Sequence, residues 1–286
     1  MKALPAPAVR LAWLLAVPSL MLVGTFVLLP YLNIVMMSLR TPSTTAPYGP
    51  GFTLDNVIRV LTDPLYRSVL INTLRVGAIA TFACLILGFP IAYHLARVHP
   101  RWRTLLYAAV LLPLFTGVVI RSFGWIIILA KNGLINQALA FVGIPPLALM
   151  YNEIGVTIGL VHVFLPMMVL PILSSIEAID PRLGEAARTL GASRLQVFMR
   201  IDLPLAMPGI QAGSILVFVL ACSSFVIPTL IGAGGVTTTP ILVMQQLVNS
   251  FLWPFGAALG LSLAVAMFAA AGFFVVLTRR TIARVK

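Results

Sequence analysis

Charge is scarce in this chain, and acid is scarcest of all. Only 9% of its 286 residues are charged, and Asp and Glu together number 7 against 19 Lys and Arg. With 60% hydrophobic residues and a mean hydropathy of +1.06, that composition excludes an ordinary soluble domain and points to an integral membrane protein. Cysteine is nearly absent: Cys84 and Cys222 each lie in an apolar run, where a thiol behaves as a small hydrophobe, so no disulfide framework is expected. Chemical motifs are missing as well. No G-x-x-x-x-G-K-S/T occurs, so the chain has no phosphate cradle of its own and is expected to bind no nucleotide cofactor. No H-E-x-x-H occurs, and His94, His99 and His162 are not at metal-ligand spacing, so no metal site is expected. Gly191-Ala192-Ser193 lacks the second glycine of a nucleophile elbow, and the chain reads as something other than an enzyme.

What is present is apolar length. Runs over about 11–39, 69–96, 104–130, 154–175, 208–231 and 255–277 are each long enough to cross a bilayer, which predicts an all-α protein with six transmembrane helices. The first run is too long for the core of a signal peptide and reads as an uncleaved helix. No repeat or low-complexity tract interrupts 1–286, read here as a single transmembrane domain. Prolines 18, 30, 90, 113, 166, 171 and 228 fall inside these runs and predict kinks. Gly155 and Gly159, and Gly256 and Gly260, form small-xxx-small spacings that serve subunit contact or arise by chance. Two outer connections, Asn132 to Met150 and Thr239 to Trp253, carry apolar residues at helical spacing, as interfacial or re-entrant elements do.

The formal net charge of +12 does not indicate nucleic acid, because the cations punctuate apolar runs instead of sharing one face. They set orientation. Lys2, Arg10, Arg97, Arg101, Arg103, Arg182, Arg188, Arg194, Arg200, Arg279, Arg280, Arg284 and Lys286 flank one side of the spans, whereas Arg40, Arg59, Arg67, Arg75 and Lys131 flank the other. The first side is therefore cytosolic and holds both termini.

One long polar interval on that side, about 180–208, carries helix signals. Asp180 suits an N-cap and Pro181 the first helical position, while Leu183, Ala186, Ala187 and Leu190 recur at i, i+3, i+4 and i+7. Gly191 can take a left-handed elbow, Ser193 can cap a second helix from Arg194 to about Ile201, and Pro204 is expected to stop it. Within it, Glu185, Ala186, Ala187, Gly191, Ile201, Leu203 and Pro204 reproduce E-A-A-x3-G-x9-I-x-L-P. This signature resembles that of the permease subunits of bacterial ABC importers that use a binding protein. VIRSFGW at Val119 to Trp125, WPFGAAL at Trp253 to Leu259 and the LIN-containing stretch at Asn132 to Ala138 are similar to the first permease of spermidine/putrescine-type systems.

The resemblance implies a type I ABC importer permease fold in the bacterial inner membrane. The loop would be a coupling helix seated on a homodimeric ATPase, which alone carries ATP-Mg, with Glu185, Ala186, Ala187, Arg188, Leu190 and Gly191 forming the contact. A second homologous permease, a periplasmic or extracellular solute-binding protein and membrane lipid complete the implied partners. The implied function is inward movement of a small polar solute, polyamines first, by alternating access. Against polyamines stands the lack of any acid at the centre of a span, together with Arg121 inside the third. A guanidinium there should face the bundle or a wet cavity, snorkel outward, or pair with Glu153. Arg121, Phe123, Trp125, Ser223 and Ser224 are candidate pathway residues, and His162 reads as a neutral, hydrogen-bonded imidazole. An amino acid or opine-like substrate stays open, as do an autonomous secondary transporter or channel and a membrane scaffold.

Overall fold

The computed structural model describes residues 6–43 and 46–283. Lys2, Arg284 and Lys286 lie outside the described residues, as do the side chains of Arg10, Arg279 and Arg280. Apart from one isolated antiparallel bridge between Arg40 and Phe52, the described residues form helices, turns and connections. Among the described residues twelve α-helices occur in order: α1 Ala6–Ser38, α2 Asp55–Thr62, α3 Pro64–Leu95, α4 Pro100–Leu111, α5 Val118–Leu129, α6 Leu134–Phe141, α7 Glu153–Glu177, α8 Pro181–Thr189, α9 Arg194–Val197, α10 Leu203–Ser223, α11 Thr239–Met244 and α12 Trp253–Ala283. Six segments among the described residues are long and apolar enough to cross a membrane.

Backbone contacts divide the chain into two units, one holding the residues as far as Asp63 with Val243–Ser262, the other Pro64–Leu242 with the chain from Leu263. In the smaller unit α1 is apolar all round, and Met21, Phe26 and Tyr31 stay exposed, as on a helix that faces lipid or another subunit. The connection after it is ordered by Asn56, whose buried amide donates to the carbonyls of Ser38 and Arg40 at 3.0 and 2.9 Å. Arg40 lies over the Phe52 ring at 4.1 Å and donates to the Pro50 carbonyl at 2.9 Å. Helix α2 was not expected in this polar tract. Asn56 and Val60 at i and i+4 supply its buried face, and Thr53 ties down its start by accepting from the Asp55 N–H at 3.1 Å.

The larger unit is built on α3, α7 and α10, which pack against one another. Towards one end Val76, Ala80, Leu160, Val163, Ala221, Ile227 and Ile231 form a buried cluster. Towards the other, Cys84, Leu95, Met168, Ile172, Ala206, Ile210 and Val217 form a second. Both cysteines are buried and free. Gly155 and Gly159 lie in this packing inside the chain. A β-carbon at Gly159 would lie 2.7 Å from Ile231 Cδ1 and 2.9 Å from Ile227 Cγ2.

Two expected spans are interrupted. The expected third, about 104–130, is α4, a 3₁₀ turn Leu112–Phe115 and α5, separated by Thr116 and Gly117, and the segment long and apolar enough to cross a membrane is instead Val118–Phe141. Pro113 lacks the N–H that would continue α4, so it breaks this run instead of bending it. The fifth ends at Ser223, and Ser224 is extended before a π-helical turn at Pro228–Gly232. Pro228 has no N–H for the Ser224 carbonyl four residues back, and the Ser223 hydroxyl donates to the carbonyls of Val219 and Leu220 at 2.9 and 3.2 Å. By contrast Pro90, Pro166 and Pro171 stay inside unbroken helices, and the second span begins at Pro64, before the position expected.

Candidate functional site

The interval between α7 and α10 folds into helix, elbow and helix. Asp180 accepts from the Arg182 N–H at 2.9 Å and Pro181 opens α8. At the other end Gly191 adopts φ +88°, a conformation that strains any residue with a β-carbon. Ser193 then accepts from the Gln196 N–H at 3.2 Å while its own N–H donates to Gln196 Oε1 at 2.8 Å, a reciprocal cap that opens α9.

Pro204 does not stop this helix, contrary to expectation. From Val197 the chain passes through a π-helical turn, Phe198–Asp202, directly into α10, and the Leu203 N–H reaches back five residues to the Phe198 carbonyl. The wider turn absorbs the proline, whose missing N–H would otherwise break an α-helical ladder.

The loop's apolar side chains are left largely uncovered by its own chain. Leu183, Leu190 and Leu195 are 48%, 89% and 69% exposed, whereas Val197 is buried against the position of Gly184. Among the described residues no salt bridge engages Glu185 or Arg188. Both line a cleft of about 440 Å³, with Arg97, Glu177, Asp180 and Asp202, between the loop and the ends of α3 and α7.

Asp202 is the residue that sequence reasoning passed over. It occupies a free position of the loop signature, yet it is only 3% exposed and is held by two donors on the same oxygen: Tyr93 Oη at 2.9 Å and Arg97 Nη2 at 2.8 Å. The Arg97 guanidinium also lies 3.7 Å from the Tyr93 ring centroid. A single acid in the apolar text Ile201-Asp202-Leu203 was the available signal, because an acid at a membrane edge needs a cation. Nearby, Glu177 at the end of α7 pairs with Arg103. The basic ends of α3 and α4 therefore meet the loop at one end of the larger unit, as the charge count requires.

Around Arg121 the arrangement differs. Glu153 is paired with Arg75 of α3, so the expected Arg121–Glu153 bridge is replaced. Nε and Nη1 of Arg121 are buried without a hydrogen-bond partner. One turn on, Trp125 Nε1 donates to His162 Nδ1 at 3.1 Å with the rings edge to face, which puts the proton of a neutral imidazole on Nε2. Arg121 precedes Trp125 by four residues on α5 and so shares its face. The structure thus groups Arg121, Trp125 and His162. Phe123 is 54% exposed beyond them, and Ser223 and Ser224 lie at the break after α10, with the Ser223 hydroxyl committed to its own helix.

The family model for inner membrane components of binding-protein-dependent transport systems matches residues 14–283. The chain belongs to this family. The permease is 42% identical over 244 residues to the spermidine/putrescine transport system permease protein PotB of Escherichia coli, spanning 85% of this chain and 88% of that one. It is also 32% identical over 216 residues to the inner membrane ABC transporter permease protein YdcU of Escherichia coli, spanning 71% and 69%. A crystal structure of a bacterial ABC transporter for the acidic polysaccharide alginate superposes with a TM-score of 0.77 at 18% identity, covering 95% of this chain and 96% of that one, a likeness of fold.

The permease is accordingly a membrane-embedded translocation subunit of an ABC importer in the inner membrane, and not itself an enzyme. A binding protein belongs to the same system. Readings as an autonomous transporter, a channel or a scaffold fall away.

Proposed function

We propose that the permease carries polyamines of the spermidine/putrescine class inward, working with a second homologous permease, a solute-binding protein and a homodimeric ATPase that alone binds ATP-Mg. The observation that carries the substrate is the 42% identity to a spermidine/putrescine permease across 85% of this chain. The ATPase seats on the Asp180–Asp202 loop. Leu183, Ala187 and Leu190 supply apolar burial, Ala186 allows close approach, Glu185 and Arg188 form a polar rim, and the Gly191 elbow holds α8 against α9. Exposed leucines on an ordered polar loop support this, since a partner would bury them. Nucleotide-driven closure of the ATPase moves the loop and tilts α7 and α10, to which it is covalently joined.

A second reading, an amino acid or opine-like substrate, is favoured by Arg121, whose two unpartnered N–H groups suit a carboxylate and repel a polycation. In the polyamine reading selectivity resides in the binding protein, and the spans offer only an aromatic passage past Phe123 and Trp125. Uptake into proteoliposomes containing the whole importer decides between them. ATP-dependent entry of putrescine, competed by spermidine, is expected. Entry of an amino acid that neither polyamine competes would overturn the polyamine assignment.

A further inference from the structure

The loop is continuous with α7 and α10, and it meets α3 through side chains gathered on one turn. At the start of the π-helical turn Phe198 packs edge-on against Tyr93 and Phe89, with centroids 5.4 and 5.7 Å apart. At its end Asp202 binds Tyr93 in the last turn of α3 and Arg97 just beyond it. One irregular turn therefore grips the end of α3 at both of its ends. Asp202 is the only acidic residue among the described residues whose side chain is buried. A buried carboxylate held by a cation and a phenol resists separation far more than an apolar contact, because parting them strands a charge.

We propose that Asp202, with Arg97 and Tyr93, is a positioning unit that transmits loop movement directly to α3, adding a stiff link to the packing by which α7 and α10 already touch that helix. The inference rests on the loop being the ATPase seat. Aromatic packing alone could keep the turn beside α3 at rest; the two charge-assisted hydrogen bonds make it follow under load. Phe198 seats the turn, and Asp202 makes the joint stiff.

The test uses the complete importer in proteoliposomes, with solute uptake and ATP hydrolysis read on the same preparation. The solute is putrescine, or the amino acid that the uptake assay identifies. Asp202→Asn keeps shape and can still bond to Tyr93, but gives up the charged pair. The expected result is a complex that retains its ATPase and hydrolyses ATP near the wild-type rate, while uptake per ATP falls about tenfold. Asp202→Glu, which restores the charge, recovers most of that ratio. Should Asp202→Asn fail to assemble, the ratio is read on Arg97→Lys, where the planar fork is lost and a severalfold fall is expected. An unchanged ratio in an assembled complex overturns the inference, since a merely structural anchor lowers uptake and hydrolysis in proportion. Glu185→Lys is the control for the underlying reading: if it keeps both ATPase and uptake, the seat is wrong. If it loses the ATPase while Asp202→Asn keeps a normal ratio, only the α3 linkage fails.

Discussion

The loop end of the larger unit and the start of α5 treat charge in opposite ways. At the loop end the buried acid Asp202 has two donors, so the buried charge there is answered within the chain, and the exposed Glu177 nearby pairs with Arg103. In α5 Arg121 keeps two buried N–H groups unanswered while the Trp125–His162 pair beside it satisfies only itself. A closed set of bonds makes a stiff element that can pass on force, and what the loop leaves open is apolar surface with Glu185 and Arg188 beside it. An open set of donors does not stiffen anything; it holds local field for a group that arrives later. This contrast separates a mechanical part of the permease from a part that faces solute, and each variant below attacks one side of it.

The largest effect is expected at the elbow. Gly191 sits at φ +88°, whereas proline is fixed near −65°, so Gly191→Pro cannot keep α8 and α9 in their present relation. Uptake should fall to background and the ATPase should fail to co-purify, while the subunit still inserts. Gly191→Ala, which strains the same torsion by about 1–2 kcal/mol, should leave partial uptake. Equal activity in both variants would mean that the elbow's geometry does not matter.

Next comes an asymmetry within the Asp202 joint. Removing Arg97 leaves a 3% exposed carboxylate with a phenol as its remaining donor, a loss of about 3–5 kcal/mol. Removing Asp202 leaves a guanidinium whose side chain is 44% exposed and can turn to water, so about 1–3 kcal/mol is expected. Thermal unfolding of the detergent-purified complex should therefore rank Arg97→Ala below Asp202→Ala. The reverse order would show that Asp202 is reached by water when Arg97 is gone.

How much of this was legible follows from what each feature depends on. The six apolar segments rest on a local quantity, apolar length, and so could be read directly. The loop's caps are local too: Asp180, Gly191 and Ser193 act within three residues of themselves. The breaks at Pro113 and Ser224 were not legible, because a proline in an apolar run bends or breaks according to whether neighbouring groups satisfy the freed carbonyl. Helix α2 hid in a Pro/Gly/Thr-rich tract, its buried face consisting of Asn56 and Val60 alone. For Asp202 the need for a cation could be read, but not which one, because its partner Arg97 lies 105 residues earlier in the chain.

A smaller effect tests whether the close helix approach belongs to the chain itself. Gly159→Ala places a methyl group against Ile227 and Ile231 and should cost about 1–3 kcal/mol by overpacking. Gly260→Ala meets nothing within 4 Å and, as glycine weakens a helix by about 0.5–1 kcal/mol, should be neutral or slightly stabilising. Isolated permease in detergent is the material to use. If Gly159→Ala unfolds at the wild-type temperature there but destabilises the assembled importer, the glycine serves a subunit contact after all.

The least change in stability is expected at Arg121, and that is why it is informative. Deleting a guanidinium with two buried, unpartnered N–H groups removes a desolvation penalty, so Arg121→Met should unfold at or above the wild-type temperature. Transport then separates the substrates by sign. A polycation is repelled by the native guanidinium, and Arg121→Met should maintain or raise putrescine uptake. A carboxylate-bearing solute loses its partner, and uptake should drop by about tenfold or more, the weight of a charge-assisted hydrogen bond. Trp125→Phe, which releases His162 Nδ1 but leaves the guanidinium, should move neither outcome far. A fall in putrescine uptake in Arg121→Met without loss of stability would show that this cation organises the pathway itself, and would bring the third span to the mechanical side of the comparison.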